Sequence, residues 1–500
     1  MNDKFERRDF IKTGVAAGIT LAGASANVPG ANDRLRIALI GAGRQGRGVM
    51  KGFAQQQDVQ ITAVCDVYAP HIDLAIKDAR LENVQSHKDF RRVLDDKNVD
   101  AVIIASPDHW HALQTVAACQ AGKDVYVEKP ISVTVDEGRK MVQAARKYNC
   151  IVQVGTQQRS GDHYQKAKEV VSSGQIGKVT FVRTWNFGNA APDGIGSPAD
   201  TNPPEGLDWD LWLGPAPNRP FNANRWGVHP DRWSSFRWFL DYAGGMMTDW
   251  GIHHLDIVQM VMGADAPAAI TAMGGKYGLT DNRETPDTLM VTYEYPGFVC
   301  TYENRECNAQ GMNGRGYGVS FHGTDATLYI NREFYEIVRE KVKNPGVVKV
   351  ENKNNQGQTH YRNFLDCIKS RQQPTSDIEV GHRSTSTCLL GNVALRSGRR
   401  IVWDAKSEKI IGDAGASKYL SREYRKPWKL IVRGCADRTD DDGPGEAGPS
   451  PSVRSAHHPS RLDDSFLAFQ MPVMDSVFPA ASSNSLATKP ISLHLISRND

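Results

Sequence analysis

A glycine-rich turn near the start of the chain has the spacing of a phosphate-binding site. The compact apolar run Arg36-Ile37-Ala38-Leu39-Ile40 is typical of a buried parallel strand, and it leads directly into Gly41-Ala42-Gly43-Arg44-Gln45-Gly46. Gly41 allows a tight turn, Gly43 lets the backbone approach a pyrophosphate, and Gly46 lets the next helix pack closely on the strand. The first N–H groups of that helix then face the phosphates, so the pattern predicts a dinucleotide site.

An acidic residue follows at the distance that such a site needs. A second apolar run, Gln60 to Cys65, ends in Asp66, 20 residues beyond Gly46. A carboxylate at this spacing binds both ribose hydroxyls of an adenosine and repels a 2′-phosphate, so the sequence favours NAD over NADP. The alternative at this point is a glycine-rich turn in an α/β protein that binds no nucleotide.

Strand and helix patterns then alternate as far as residue 154. Alternation of this kind predicts a doubly wound parallel sheet, in which ligands bind outside the carboxyl ends of the strands. The predicted strands are 99–105, 124–127 and 151–154, and the predicted helices are 111–122 and 135–148. The segments that follow strands, and that we expect at the ligand, are 106–111, 128–130 and 155–159.

Four motifs in this order resemble the Gfo/Idh/MocA oxidoreductase family. They are Ile-Gly-Ala-Gly at 40–43, Ser-Pro-Asp-His-Trp-His at 106–111, Val-Glu-Lys-Pro at 127–130 and Asp-Trp-Gly-Ile-His at 249–253. The resemblance covers about residues 35–430. It implies an α/β Rossmann domain followed by an α+β domain on a large, open, mostly antiparallel sheet. Members of this family oxidise sugars or cyclitols, or reduce the matching ketones.

The resemblance also implies which residues hold the cofactor and which perform the chemistry. Residues expected to bind NAD are Gly41, Gly43, Arg44, Gln45, Gly46, Asp66, Ser106, Pro107, His109, His111, Glu128, Lys129 and Gln157. Residues expected to be catalytic are Lys129, Asp249 and His253. Hydride transfer from a secondary alcohol requires removal of the hydroxyl proton and stabilisation of the alkoxide. The sequence leaves open whether Lys129 or His253 takes the proton.

Each of these three residues also has a structural interpretation. Lys129 could be a solvated loop lysine, His253 a hydrogen-bonded core histidine, and Asp249 the N-cap of a helix. Asp249 and His253 are four residues apart, so one helix would place both on the same face. The histidine pairs 253/254 and 109/111 invite a metal hypothesis, but no Cys or carboxylate spacing completes a ligand set, so we expect no metal.

Seven of the ten tryptophans fall between residues 185 and 250, in a segment rich in Pro, Asn and Asp. We interpret this segment as long loops that form a carbohydrate-binding wall, because flat aromatic rings pack on the C–H faces of sugars. The alternative is that the rings are the core of irregular loops. Residues expected on the substrate side are Arg159, Tyr164, Trp185, Asp249, His253 and His254.

Composition excludes several classes of protein. The chain has 500 residues, 60 Lys and Arg against 57 Asp and Glu, and a mean hydropathy of −0.47. This balance argues against a nucleic-acid partner, and the lack of any apolar stretch of 18 residues argues against stable membrane insertion. One uncovered face of the predicted open sheet favours a homo-oligomer.

Both ends of the chain differ from the middle. Arg7-Arg8 followed by Phe10-Ile11-Lys12 and a short Gly/Ala-rich apolar run is typical of a twin-arginine export signal, which predicts contact with the Tat machinery and a periplasmic location. Domains are therefore predicted at 1–33 (signal and linker), 34–155 (Rossmann), 156–430 (substrate domain) and 431–500. The last of these has the composition of a poorly ordered tail.

The leading hypothesis is an exported NAD-dependent oxidoreductase that acts on a sugar, glycoside or cyclitol. Because free NAD is scarce outside the cytoplasm, the cofactor would stay bound. A second hypothesis is a redox-neutral glycoside hydrolase or lyase that oxidises the sugar transiently. The non-enzymatic alternative is a protein that binds a dinucleotide and a sugar without turnover.

Overall fold

The structure is a computed structural model that describes residues 34–227, 234–343 and 346–432. The predicted export signal at 1–33 lies outside the described residues, as does nearly all of the predicted tail. Among the described residues, no helix has the length and apolar character needed to cross a membrane.

A parallel sheet forms the N-terminal half. Its strands are β1 Leu35–Ile40, β2 Val59–Cys65, β3 Gln85–His87, β4 Ala101–Ile104, β5 Asp124–Val127 and β6 Val152–Val154. They lie in the order β3-β2-β1-β4-β5-β6, and every pair is parallel. All residues of β4 and β5 are buried, as expected for strands inside a parallel sheet that is covered on both faces, and the edge strand β6 is buried as well. The predicted Rossmann topology is confirmed.

Helices connect these strands and cover the sheet. They are α1 Arg44–Ala54, α2 Ala69–Ala79, α3 Phe90–Asp95, α4 Asp108–Gln120 and α5 Val135–Lys147. The start of α5 is a capping box: the N–H of Glu137 donates to Thr134 Oγ1, and the N–H of Thr134 donates to the Glu137 carboxylate. This reciprocal pair satisfies two N–H groups that the helix leaves free, which fixes the end of the preceding 128–134 loop.

A second, mostly antiparallel sheet forms the C-terminal half. Its strands are β7 Val179–Phe187, β8 Ala269–Gly275, β9 Thr288–Tyr295, β10 Phe298–Arg305, β11 Tyr317–Gly323, β12 Ala326–Ile330, β13 Phe334–Arg339, β14 Val347–Glu351, β15 Ile401–Asp404 and β16 Lys409–Ile410. Their order is β14-β13-β12-β11-β7-β10-β9-β8-β15-β16, and only the β7–β10 pair is parallel. Buried and accessible residues alternate along β9 and β10, so one face of this sheet carries the core.

Helices pack on that inner face and return to the Rossmann domain. They are α6 Asp162–Ser172, α7 Trp209–Leu213, α8 Ala223–Trp226, α9 Met246–Asp249, α10 Gly251–Met262, α11 Gln356–Ser370, α12 Ile378–Ser397 and α13 Ala414–Ser417. Helix α12 packs against both α5 and β8, and α11 packs against α1. The two sheets are thereby joined by buried helices, with the cavity described next between them.

Candidate active site

A cavity of about 520 Å³ lies at the carboxyl ends of β1, β2, β4 and β5. The glycine turn and Asp66 line one end of it. Lys129, Asp249 and His253 line the other end, together with aromatic residues of the 188–250 segment. The first sheet therefore positions three of the four predicted motifs, at 40–43, 106–111 and 127–130, and the C-terminal domain supplies the fourth, at 249–253. Ligand sites of open parallel sheets lie at this edge.

The glycine turn has the shape that a dinucleotide requires. Gly41 has a φ of +92°, and a Cβ there would lie 2.4 Å from the backbone N of Ser106. A Cβ on Gly46 would lie 1.9 Å from the carbonyl O of Gly41. A Cβ on Gly43 would meet no described atom within 4 Å, which leaves open space beside the start of α1. No side chain caps that helix end, so its first N–H groups remain for a phosphate.

Asp66 is held in place by the turn itself. The N–H of Ala42 donates to Asp66 Oδ2 at 2.7 Å, and the N–H of Tyr68 donates to Oδ1 at 2.9 Å. His71 Nδ1 lies 3.3 Å from Oδ2. The carboxylate is thus fixed at the end of β2 and faces the cavity. The residues present at this end fit the adenosine half of NAD.

Ser106 and His111 join two of the loops that border the cavity. His111 Nδ1 lies 2.7 Å from the carbonyl O of Pro130, and its Nε2 lies 2.8 Å from the carbonyl O of Ser106. Ser106 Oγ donates to Gln114 Oε1 at 2.7 Å. Burial lowers the pKa of His111 to about 4, so the ring is neutral at physiological pH. His111 therefore sets the position of the loop that carries Lys129.

A carboxylate shared by two cations marks the other end of the cavity. Lys129 Nζ donates to Asp249 Oδ1 at 2.9 Å, and Arg237 Nη1 lies 2.6 Å from the same oxygen. Burial opposes ionisation of Asp249, but Arg237 and Lys129 outweigh it and hold the pKa of Asp249 below its ordinary range. Asp249 is consequently ionised and fixes the ammonium of Lys129.

His253 follows a break in the helix. The predicted single helix is wrong in this detail: α9 ends at Asp249, and α10 begins at Gly251 after Trp250. Both side chains nevertheless line the cavity. His253 Nδ1 is buried without a hydrogen-bond partner among the described residues. Burial, reinforced by Arg332 and Lys129, lowers the pKa of His253 well below 6.5, so the imidazole is neutral.

Two more acids lie beside Lys129. Glu128 is buried, and burial raises its pKa. Asp108, the first residue of α4, lines the cavity; burial raises its pKa to about 7, against the opposing effect of Lys129 and Arg237. Both carboxyl groups therefore have a larger neutral fraction than exposed acids.

Two profiles of one family match the chain. The profile described as "Oxidoreductase family, NAD-binding Rossmann fold" (GFO_IDH_MocA) matches residues 35–156, and the one described as "Oxidoreductase family, C-terminal alpha/beta domain" matches residues 163–430. The chain belongs to the Gfo/Idh/MocA oxidoreductase family. The predicted family, its fold and NAD as the cofactor are confirmed.

Individual relatives are more distant. Inositol 2-dehydrogenase of Salmonella typhimurium is 31% identical over 155 residues, covering 31% of this chain and 46% of that protein. A glycosyl hydrolase family 109 protein of Shewanella pealeana is 30% identical over 181 residues, covering 30% and 39%. The matches thus span less than half the length of these two curated relatives. Levoglucosan dehydrogenase, solved with NADH and levoglucosan, has the same fold, with a TM-score of 0.58, 18% identity, and coverage of 74% of this chain and 99% of that one.

Two residues predicted on the substrate side lie outside the cavity wall. Arg159 forms a buried ion pair with Asp256, its Nε lying 2.8 Å from the carboxylate. Tyr164 is 1% exposed, and its hydroxyl accepts a hydrogen bond from Gln158 Nε2. The polar groups of both side chains bond inside the protein, so these two residues do not face the substrate space.

Three further predicted residues are likewise internal. Trp185 donates its indole N–H to the carbonyl O of Arg315 at 2.8 Å, and His254 packs on the ring of Trp250. His109 Nε2 lies 3.0 Å from the carbonyl O of Trp212, and the ring is 1% exposed. His254 and His109 thus support the wall of the cavity from behind, through Trp250 and Trp212. The other predicted NAD residues line the cavity or, like Gly46, shape the turn.

The tryptophan-rich segment divides between cavity wall and core. Trp212, Trp226, Trp238 and Trp250 line the cavity, whereas Trp209 stacks on Trp212 at 4.7 Å behind it. The predicted aromatic wall is therefore present, but a small core of rings supports it. Trp233 lies outside the described residues.

Two arginines of the cavity were missed. Arg237 precedes Trp238, and Arg332 lies in the turn between β12 and β13. No motif marks either of them. The density of aromatic residues around position 238 was a signal for the first, but nothing near Arg332 distinguishes it from other turn arginines.

The last described segment, residues 421–430, which we call the C-terminal strap, braces the cavity from outside. Arg422 Nε donates to Glu137 Oε1 of α5 at 2.7 Å. Arg425 Nε donates to the carbonyl O of Gly214, just after α7, at 2.9 Å. The strap thus ties the Rossmann domain to the loops that carry the aromatic wall.

Proposed function

We propose that this protein is an NAD-dependent oxidoreductase that transfers hydride between a CH–OH carbon of a sugar, glycoside or cyclitol and bound NAD. One observation carries the proposal: Lys129, fixed by Asp249, and a neutral His253 line the same cavity as the glycine turn and Asp66. The inositol and levoglucosan dehydrogenases described above act on polyols, which supports the substrate class.

Some side chains position the substrate, and others stabilise charge or transfer a proton during the reaction. NAD, when bound, accepts or returns the hydride. Lys129 Nζ, positioned by its hydrogen bond to Asp249, donates a hydrogen bond to the substrate oxygen and stabilises negative charge as it develops. His253 Nε2 accepts the hydroxyl proton in the tautomer that carries the ring proton on Nδ1. This tautomer is available because neither ring nitrogen is hydrogen bonded to a described residue. The four cavity tryptophans pack on the C–H faces of the substrate and exclude water.

A matched pair of histidine variants tests the roles. The protein is first purified without added cofactor and denatured, and the released nucleotide is identified. NADH formation is then followed with neutral sugars, cyclitols and sugar acids. We expect His253→Asn to lower kcat by about a hundredfold or more, as removal of a general base does. His254→Asn, one residue away but outside the cavity, should retain most activity. Equal loss in both variants, with intact folding, contradicts the role of His253.

A redox-neutral reaction is the second candidate, because one relative is named as a glycosyl hydrolase. Hydride transfer to bound NAD would oxidise the sugar, the aglycone would leave by elimination, water would add to the resulting double bond, and the hydride would return to the sugar, with Lys129 and His253 in the same roles. Release of free sugar from a glycoside without accumulation of NADH supports this reaction. Accumulation of NADH in proportion to substrate supports net oxidation. A nucleotide-loaded protein that binds sugars and turns over none is the non-catalytic alternative.

We also propose export through the Tat machinery to the periplasm, on the basis of Arg7-Arg8. Replacing both arginines by lysine in a fusion of residues 1–33 to a folded reporter should abolish its export. Retention of export in that variant contradicts the proposal.

Self-association is proposed from the outer face of the second sheet. Met273, Met290 and Val299 are 79%, 40% and 37% exposed there, and Met273 pairs with Met290 across β8 and β9. Apolar side chains exposed in this way favour contact with a second copy. Sedimentation of the wild type and of Met273→Glu should show a larger species only for the wild type.

A further inference from the structure

The substrate end of the cavity carries more positive than negative charge. Lys129 and Arg237 share the single carboxylate of Asp249. Arg332 is a third cation that lines the same end. No described carboxylate lies within 4.0 Å of its guanidinium, whereas Asp249 lies within 3 Å of each of the other two cations.

Arg332 is held in place, but only one of its guanidinium nitrogens donates a hydrogen bond to a described residue. Its Nε donates to Gln158 Oε1 at 3.3 Å, and the guanidinium lies over the ring of Trp250 at 4.8 Å. Gln158 in turn donates to the backbone carbonyl of His253 at 3.4 Å. The two terminal NH₂ groups have no described acceptor. A guanidinium oriented in this way presents a fork that matches two oxygens of a carboxylate or phosphate.

The nearby acids offset only part of this charge. Burial raises the pKa of Glu128, and it raises that of Asp108 to about 7, so near neutral pH each carries a smaller fraction of negative charge than an exposed acid. Asp66 lies at the opposite end, where it is bonded to the backbone N–H groups of Ala42 and Tyr68. A neutral polyol would leave the half-buried Arg332 guanidinium without an anionic partner in the cavity. An anionic substrate would supply that partner.

We propose that the substrate is an anionic polyol, and that Arg332 binds its carboxylate or phosphate while Lys129 and His253 contact the reacting hydroxyl. The inference rests on the function proposed above, because it places a substrate in the same cavity. Lys129 remains committed to Asp249, so the anionic group of the substrate is bound chiefly by Arg332.

Binding to the NAD-loaded protein tests the inference without requiring turnover. Glucose, glucuronate and glucose 6-phosphate are titrated in turn, and quenching of tryptophan fluorescence is measured, since four tryptophans line the cavity. Hydrogen bonds to a charged group contribute about 1.5–3 kcal/mol, so we expect the better anion to bind about ten- to a hundredfold more tightly than glucose. Preference for glucuronate identifies a carboxylate, and preference for the phosphate identifies a phosphoryl group. Equal or tighter binding of glucose overturns the inference.

Variants of Arg332 test whether this residue causes the preference for an anionic ligand. Arg332→Gln should bring the ratio of anionic to neutral affinity close to one, and Arg332→Lys should keep part of it. Arg339→Gln is the matched control, because Arg339 is an exposed arginine at the end of β13 and should keep the wild-type ratio. An unchanged ratio in Arg332→Gln overturns the inference. If no polyol is oxidised at all, the proposed function fails, yet these binding ratios still decide whether Arg332 recognises an anion.

Discussion

Replacement of Asp108 by Asn should stabilise the protein increasingly as the pH rises. Burial raises the pKa of this carboxyl from its ordinary 3.8 to about 7, with Lys129 and Arg237 opposing the rise. Below pH 3.8 this carboxyl is neutral in both the folded and the unfolded state, so it does not change the free energy of unfolding. Between pH 3.8 and pH 7 it lowers the free energy of unfolding progressively, because ionisation is easier in the unfolded chain, and above pH 7 the loss is constant. Asparagine has no such cost.

The size of the effect follows from the pKa difference. Each pKa unit corresponds to about 1.4 kcal/mol, so Asp108 lowers the free energy of unfolding by at most about 4 kcal/mol at pH 8. At pH 5 the cost is about 2 kcal/mol. The stabilisation by Asp108→Asn should therefore be about 2–3 kcal/mol greater at pH 8 than at pH 5.

Urea unfolding at both pH values measures this difference, with protein freed of bound nucleotide. Asp73→Asn is the control, because Asp73 is exposed on α2 and its carboxyl is solvated in both states. We expect its effect to be the same at both pH values. If the stabilisation by Asp108→Asn is also independent of pH, Asp108 does not ionise with a raised pKa, and the electrostatic description of this end of the cavity is wrong.

Three further perturbations address the cofactor and catalytic ends. Gly43→Ala should keep the stability of the protein, because a Cβ there meets no described protein atom. It should lower the affinity for NAD about tenfold or more, measured by calorimetry, because the Cβ occupies the space expected for the pyrophosphate. Gly48→Ala, whose Cβ also meets no described atom, is the control. Asp66→Ala should weaken NAD binding and reduce the preference over NADP, as measured by the ratio of the two Kd values. Asp249→Asn should lower the free energy of unfolding by about 1.5–3 kcal/mol in thermal or urea unfolding, since two half-buried cations lose the carboxylate that they share. In Lys129→Met, the added effect of Asp249→Asn should be smaller.

The half of the site built on the first sheet was predictable from sequence. The glycine turn, Asp66 and the segment ending in Lys129 each follow an apolar strand, and the carboxyl ends of parallel strands meet at one edge. Residues that follow different strands in the sequence therefore lie close together in the structure. The roles of Asp249 and His253 were inferred from the family resemblance. The break in the helix at Trp250, between these two residues, is not visible in the helical periodicity of the sequence.

The other half depends on contacts between distant segments. Arg159 and Tyr164 have the chemistry of substrate ligands, but their polar groups meet Asp256 and Gln158 inside the protein. Arg332 enters the cavity only because the β12–β13 turn packs beside Trp250. Such pairings depend on tertiary packing, and a single sequence contains no local pattern that distinguishes a bound arginine from an available one.

The C-terminal strap has a consequence for biosynthesis. A ribosome adds residues from the N-terminus, so the Rossmann domain and the aromatic wall emerge before residues 421–430 are made. The brace between Glu137 and Gly214 therefore forms only after the Rossmann domain and the aromatic wall have emerged, and we expect tight retention of the nucleotide to begin at that stage. A chain stalled before Ser421 should fold its first sheet yet retain NAD poorly, which nucleotide content of stalled complexes would reveal.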